Sequence, residues 1–209
     1  MPDQQEAIEP AYAKGIFAEL NQVANTVPQR ELAIQWDVTR ETGIYEGVFK
    51  LRRTTSLQEA RKAVIALLAE LSGHVPTEVE VGYHLCYGDY EGRHWKEPVD
   101  TAILVEIMNG ITSASPRPIN WFHIPVPRNR TDDAYFTPLH KLELRPETHL
   151  YLGLVHHADG VKGTRQRIEA AQKAISDFGV STECGFGRQP PEHVPELLRI
   201  HAEVAGPEA

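Results

Sequence analysis

Short apolar runs alternate with longer segments of helical periodicity along most of this chain. Five of the runs have the length of buried strands and are too short to be helices. We predict strands at Leu32–Trp36, Glu78–Leu85, Ile119–Ile124, His149–Val155 and Val180–Thr182. Strands that alternate with helices indicate β/α units and therefore a parallel sheet.

Apolar residues at helical spacing predict six helices around these strands. They are expected at Tyr12–Val27, Leu57–Leu71, Pro98–Ile111, Thr131–Leu142 with an interruption at Pro138, Gly163–Phe178 and Val194–Val204. Ser56 and Glu59 form a capping box at the start of the second helix. Gly179 is expected to cap the end of the fifth helix. Residues 39–55 lack periodicity and are expected to form a loop or an irregular insert.

The predicted strands end at residues whose side chains can bind a metal ion or transfer a proton. These residues are Asp37, His84 with Cys86, His123, His156 and Cys184. The carboxyl ends of parallel strands meet at one edge of the sheet, where α/β proteins build their sites. We therefore predict one functional face that gathers these side chains. Neighbouring residues of a strand point to opposite sides, so either His156 or His157 is expected to face solvent.

A metal site is the most specific of these predictions. His84 and Cys86 are two residues apart in a strand, so their side chains point to the same side. Cys184 is the other of the two cysteines in the chain. Zinc favours thiolate and imidazole ligands in tetrahedral geometry, so these three residues would leave one position open. His123 is a candidate for that position, or else a histidine that is hydrogen-bonded to a neighbouring loop.

The open position of such a site allows two kinds of chemistry. Zinc could bind a substrate thiol and stabilise the thiolate, which is a good nucleophile toward a methyl group. It could instead activate water, which would make the protein a hydrolase. Asp37 could receive a substrate ammonium group or could cap the turn that follows it.

Composition and charge limit the number of domains, the kinds of partner and the cellular location that we expect. A chain of 209 residues is expected to form one domain, here taken as residues 1–209. Its net charge of -8 argues against nucleic acid or an anionic membrane as the main partner. No apolar run reaches the roughly 20 residues of a bilayer span, and the acidic start is unlike a secretory signal. A cytoplasmic location is expected, where the two cysteines would be thiols or ligands rather than a disulfide.

Three motifs, in order along the chain, resemble the catalytic C-terminal domain of cobalamin-independent methionine synthase. Its superfamily also holds uroporphyrinogen decarboxylase and the corrinoid methyltransferases. Ile34-Gln35-Trp36-Asp37 is similar to the family's Ile-Gln-x-Asp strand, and His84-Leu85-Cys86-Tyr87 is similar to its His-Met-Cys-Tyr zinc strand. Cys184-Gly185 is similar to its Asp-Cys-Gly ligand turn, and the likeness runs from Leu32 to Gln189.

The resemblance implies a TIM-type (β/α)8 barrel in which His84, Cys86 and Cys184 hold zinc. Zinc would activate homocysteine or a similar thiol, and a folate-type donor would supply the methyl group. Asp37 would contact the ammonium group of the substrate, with Gln35 and His156 as further candidates for substrate binding. Two positions depart from the family: His123 stands where the family has a glutamate ligand, and Asp37-Val38-Thr39 replaces its Asp-Glu-Pro.

Five β/α units would make up roughly five-eighths of such a barrel and would expose the edges of the sheet. We therefore expect the chain to need a second copy, a second chain or an upstream segment for full activity. Two other interpretations stay open. One is a metal-dependent hydrolase or decarboxylase in which Asp37 and His123 act as acid and base; the other is an inactive, truncated relative that serves as a binding module.

Overall fold

Five strands and seven α-helices alternate in the computed structural model, which describes residues 5–52, 54–88 and 93–206. The strands are β1 (Ala33–Val38), β2 (Glu80–Leu85), β3 (Trp121–Pro125), β4 (His149–Val155) and β5 (Gly179–Thr182). The helices are α1 (Gln5–Thr26), α2 (Arg40–Tyr45), α3 (Leu57–Gly73), α4 (Ala102–Ala114), α5 (Asp133–Phe136), α6 (Gly160–Gln172) and α7 (Val194–Val204). Short 3-10 turns lie at Gln29–Glu31, Thr137–Lys141, Phe186–Arg188 and Pro191–His193. No helix among these described residues is long and apolar enough to cross a membrane.

The five strands form one parallel sheet in which spatial order follows chain order, β1-β2-β3-β4-β5. The predicted α/β class and parallel sheet are therefore confirmed. Connections between parallel strands are almost always right-handed. Here each strand is added on the same side of the one before it. Right-handed connections then place all the crossover helices on one face of the sheet. The outer sides of β1 and β5 pair with no other described strand.

The two faces of the sheet differ in burial. On the helix-covered face, alternate residues such as Tyr83, Phe122 and Leu152 are fully buried in the main core. On the opposite face, which we call the open face, the exposed side chains include Gln35, Asp37, Glu80, His149 and Tyr151. The open face is thus a polar and aromatic surface supported by a conventional apolar core.

Two local contacts position β2, which carries His84 and leads directly into Cys86. The Ser56 hydroxyl accepts a hydrogen bond from the Glu59 N–H (3.1 Å), so half of the predicted capping box is present at the start of α3. The Glu59 carboxylate accepts from the Thr55 N–H (2.6 Å), one residue before the serine. At the other end of α3, the guanidinium of Arg117 donates to the carbonyls of Val75, Pro76, Thr77 and Val79. This buried cation fixes the loop that leads into β2.

Four predicted elements were wrong by more than two residues. Residues 39–55 contain α2, whose Thr42 hydroxyl donates to the Val38 carbonyl; Arg53 in this stretch lies outside the described residues. Helix α1 begins at Gln5 and continues through Pro10. Helix α4 begins at Ala102, whose N–H donates to the Asp100 carboxylate, instead of at Pro98.

The fourth error concerns Gly179, which was expected to cap a helix. Helix α6 spans Gly160–Gln172, and Gly179 instead opens β5. A Cβ at Gly179 would lie 2.5 Å from the ring of Tyr151 on the neighbouring strand. A glycine is therefore required at this position because the Tyr151 ring lies against its backbone. The sequence around Gly179 contains no sign of this contact, since Tyr151 is distant along the chain.

A buried ion pair ties α6 to the carboxyl edge of the sheet. Arg167 is 0% exposed; it donates to both carboxylate oxygens of Asp159 (2.7 and 2.8 Å) and to the carbonyls of Leu154 and Arg128. It thereby joins the end of β4 to the loop after β3. Both segments border the predicted functional face.

Replacing this cation should destabilise the protein far more than replacing a neighbouring exposed one. Arg167→Met leaves Asp159 and two carbonyls without their partner, and we expect a loss of about 3 kcal/mol in the free energy of unfolding. Arg165→Met is the matched control, because that side chain is 58% exposed on the same helix. Urea unfolding measures both losses. Equal effects of the two substitutions would contradict the structural role of Arg167.

Candidate metal centre

His84, Cys86 and Cys184 come together at the carboxyl edge of the sheet. One possible ligand atom of each lies within 4.8 Å of the other two. His84 lies on β2, and Cys86 follows that strand with its N–H bonded to the Val38 carbonyl (3.1 Å). Cys184 lies two residues beyond β5. Both cysteines are free, so the structure brings together the three residues predicted as ligands.

This convergence requires the chain to turn back across the sheet. Strands β2 and β5 are separated by β3 and β4, and a flat sheet would place them about 14 Å apart. The segment after β5 lies instead against the open face at β4, where Gly153 makes room for it. A Cβ at Gly153 would lie 2.7 Å from the Cα of Glu183 and 3.0 Å from the carbonyl oxygen of Thr182. The missing side chain of Gly153 thus permits the close approach that places Cys184.

His84 is the least satisfied polar side chain of the group. It is 5% exposed, and neither ring nitrogen has a hydrogen-bond partner among the described residues. A buried polar group without a partner costs about 1–3 kcal/mol, and an ion is one of the usual reasons for finding one. The donor set of one imidazole and two sulfurs suits a soft or borderline cation such as zinc.

The two cysteines shift each other's pKa in opposite directions. The Cys86 thiol and the neighbouring His84 lower the pKa of Cys184. The contact with Cys184, together with burial, raises the pKa of Cys86. Gly88, in a turn with φ of 83°, donates its N–H to the Cys86 sulfur (3.2 Å). One sulfur of the pair therefore carries negative charge readily, and a cation between them would favour the thiolate form of both.

His123 lies beside this group and does not belong to it. Its ring stacks on that of His84, with 4.4 Å between ring centroids. Its Nε2 lies 2.9 Å from the Thr182 carbonyl oxygen and 2.8 Å from the Ser181 hydroxyl. Burial lowers the pKa of His123 to about 4, with the neighbouring His84 adding to the effect. In this position a neutral His123 attaches β3 to the end of β5.

Asp37 and Gln35 lie on the open face of β1. Asp37 is the register partner of His84 on β2. The Gln35 amide donates to the Asp37 carboxylate (3.0 Å), and the Trp121 indole N–H donates to the Gln35 carbonyl (3.2 Å). Asp37 is therefore an oriented and exposed carboxylate on the strand next to a metal-ligand candidate.

A cavity of about 160 Å³ opens beside the two cysteines. Both His156 and His157 line it, so the expectation that one of them faces solvent was wrong. Strand β4 ends at Val155, and the alternation of a strand no longer applies beyond that residue. The His156 Nε2 lies 2.8 Å from the Val126 carbonyl oxygen, and burial, with Arg167 nearby, lowers the pKa of His156 to about 4.

Two lining residues were missed by sequence reasoning. His94 lies in the loop after β2, with its Nε2 3.4 Å from the Glu183 carboxylate. Glu183 also lies 3.8 Å from the His156 Nδ1. The position of Glu183 directly before Cys184 was a usable signal. Nothing in the local pattern marks His94, because it enters the cavity only through the path of its loop.

Adding one methyl group at Gly153 should disturb the metal centre. Gly153→Ala would push the backbone of Glu183 away and displace Cys184, so we expect zinc affinity to fall roughly tenfold to a hundredfold and stability to fall by about 1–3 kcal/mol. Gly185→Ala is the control, since a Cβ there meets nothing within 4 Å. Competition with a chromophoric chelator measures affinity. Zinc binding by Gly153→Ala as tight as that of the unmodified protein would refute this placement of Cys184.

Comparison with known proteins assigns no family to this chain. No protein-family model matches it, and no curated protein matches it at significant similarity. The resemblance to cobalamin-independent methionine synthase therefore stays a prediction from the three motifs. The case for a metal rests on His84, Cys86 and Cys184 themselves.

Proposed function

We propose that the protein is a zinc-dependent enzyme that activates a small thiol for methyl transfer. The observation that carries the proposal is the meeting of His84, Cys86 and Cys184, with a buried His84 that has no hydrogen-bond partner among the described residues. Imidazole and two thiolates match the ligand preference of zinc. Three protein ligands with one open position are the pattern of catalytic rather than structural zinc sites.

The cavity and the polar side chains around the proposed ligands suit a small substrate. Zinc held there would favour the thiolate form of a substrate thiol at neutral pH. The cavity of about 160 Å³ is several times the roughly 30 Å³ that one water occupies, so it has room for a short thiol. His156 lines this cavity, while Asp37, oriented by Gln35, presents a carboxylate that could receive an ammonium group.

A partial TIM-type barrel is the architecture that we propose for this site. Sequential strand order, with the crossover helices on one face, is what consecutive units of a β/α barrel have, whereas a doubly wound sheet reverses its strand order. The unpaired outer sides of β1 and β5 are where a second copy, a second chain or a further segment would add strands.

Metal analysis of cysteine variants tests the proposal. The purified protein should carry about one zinc per chain, and Cys86→Ser and Cys184→Ser should each lose most of it, because serine is a poor zinc ligand. His140→Gln, at an exposed position away from the site, should retain it. Stoichiometric zinc that persists in both cysteine variants would contradict the ligand assignment.

The same proteins separate methyl transfer from the alternatives. Zinc-loaded protein incubated with homocysteine and a methyl donor should yield the S-methylated product, detected by mass spectrometry, and Cys184→Ser should not. Turnover of hydrolysable esters without thiol methylation would favour a metal-dependent hydrolase. Zinc binding with neither activity would favour a binding module.

A further inference from the structure

A second concavity lies on the open face, away from the cavity beside the cysteines. This groove measures about 660 Å³, and the side chains that matter for its chemistry are Glu80, Trp121, Glu147, His149 and Tyr151. We call it the acidic groove. His123 also lines it, and the ring of His123, stacked on the metal-ligand candidate His84, lies between the groove and the metal centre.

Two aromatic rings of the acidic groove rest on glycines of neighbouring strands. A Cβ at Gly82 would lie 2.0–2.4 Å from the Trp121 indole, so the indole covers the β2 backbone at that point. Tyr151 lies in the same way against Gly179 on β5 and is 39% exposed. Each ring has one side against backbone, and both residues line the groove. Rings supported in this way are rigid surfaces for stacking.

The charge around these rings is negative and uncompensated. Glu80 and Glu147 are exposed, and neither has an ion pair or a side-chain hydrogen bond with any described residue. No lysine or arginine lines the groove among the described residues. An anionic ligand would meet like charge here. The folate-type donor implied by the resemblance carries carboxylates and therefore does not suit this surface.

We propose that the acidic groove binds an organic cation of the alkylammonium class. Trp121 and Tyr151 would contact its apolar methyl or methylene groups through cation–π interactions, which are strongest on tryptophan. Glu80 and Glu147 would supply the compensating charge from the rim. A small inorganic cation would gain little from the aromatic rings, because it keeps its hydration shell. Binding in the acidic groove does not require the metal centre, since none of the proposed zinc ligands lines the groove.

Choline and its neutral carbon isostere, in which a tert-butyl group replaces the trimethylammonium group, form the decisive pair of probes. Isothermal titration of the full chain should show choline binding, with the isostere bound at least about fivefold more weakly, since a cation–π contact contributes roughly two- to thirtyfold in affinity. Zinc-free and zinc-loaded protein should give the same result. Equal affinity for the two probes, or no binding of choline, would overturn the proposal.

Three variants locate the binding. Trp121→Leu should weaken choline binding roughly five- to thirtyfold, and Glu147→Gln should weaken it and reduce its dependence on salt. Glu169→Gln, an exposed change on α6, is the control and should bind as the unmodified protein does. Circular dichroism checks folding of Trp121→Leu, and Glu147→Gln serves as the readout if that variant unfolds. Unchanged affinity in the folded groove variants would place choline elsewhere and refute the proposal.

Discussion

The return of the chain after β5 is the constraint on which the candidate site depends. Strands laid down in sequential order move steadily apart, so the ends of β2 and β5 would not meet in a flat sheet. They meet because Gly153 offers no side chain and the Thr182 carbonyl reaches His123 on β3. With that turn in place, Cys184 lies against His84 and Cys86. Without that turn, two ligand candidates at the end of β2 would be separated from the third beyond β5.

The metal centre and the acidic groove lie on the same sheet but differ in their contact with solvent. At the carboxyl edge, sulfur and imidazole ligands are largely withdrawn from water, a setting in which charge is costly unless a cation compensates it. Further along the open face, carboxylates and supported aromatic rings stay in contact with solvent. His123 lies between the two regions, stacked on His84 on one side and lining the groove on the other. The two regions thus share His123 as a common wall and share none of the proposed zinc ligands.

Sequence reasoning succeeded where the signal is local or follows from topology. The bounds of β4 and α7 were predicted to the residue, because apolar periodicity and proline positions mark their ends. Cys184 was paired with His84 and Cys86 because parallel strands present their carboxyl ends on one edge. The failures depend on contacts between distant segments. Gly179 reads as a helix cap until Tyr151 is seen to lie over it, and His94 acquires its neighbours only through the path of a loop.

Zinc K-edge X-ray absorption of the zinc-loaded protein, with and without homocysteine, tests the central claim most directly. The proposed ligands predict two sulfur neighbours at about 2.3 Å and at least one imidazole nitrogen at about 2.0–2.1 Å. Added thiol should raise the sulfur count to three, because the open position is the one that a substrate thiol would take. A shell of nitrogen and oxygen alone would contradict the metal centre, and a sulfur count unchanged by thiol would contradict thiol activation.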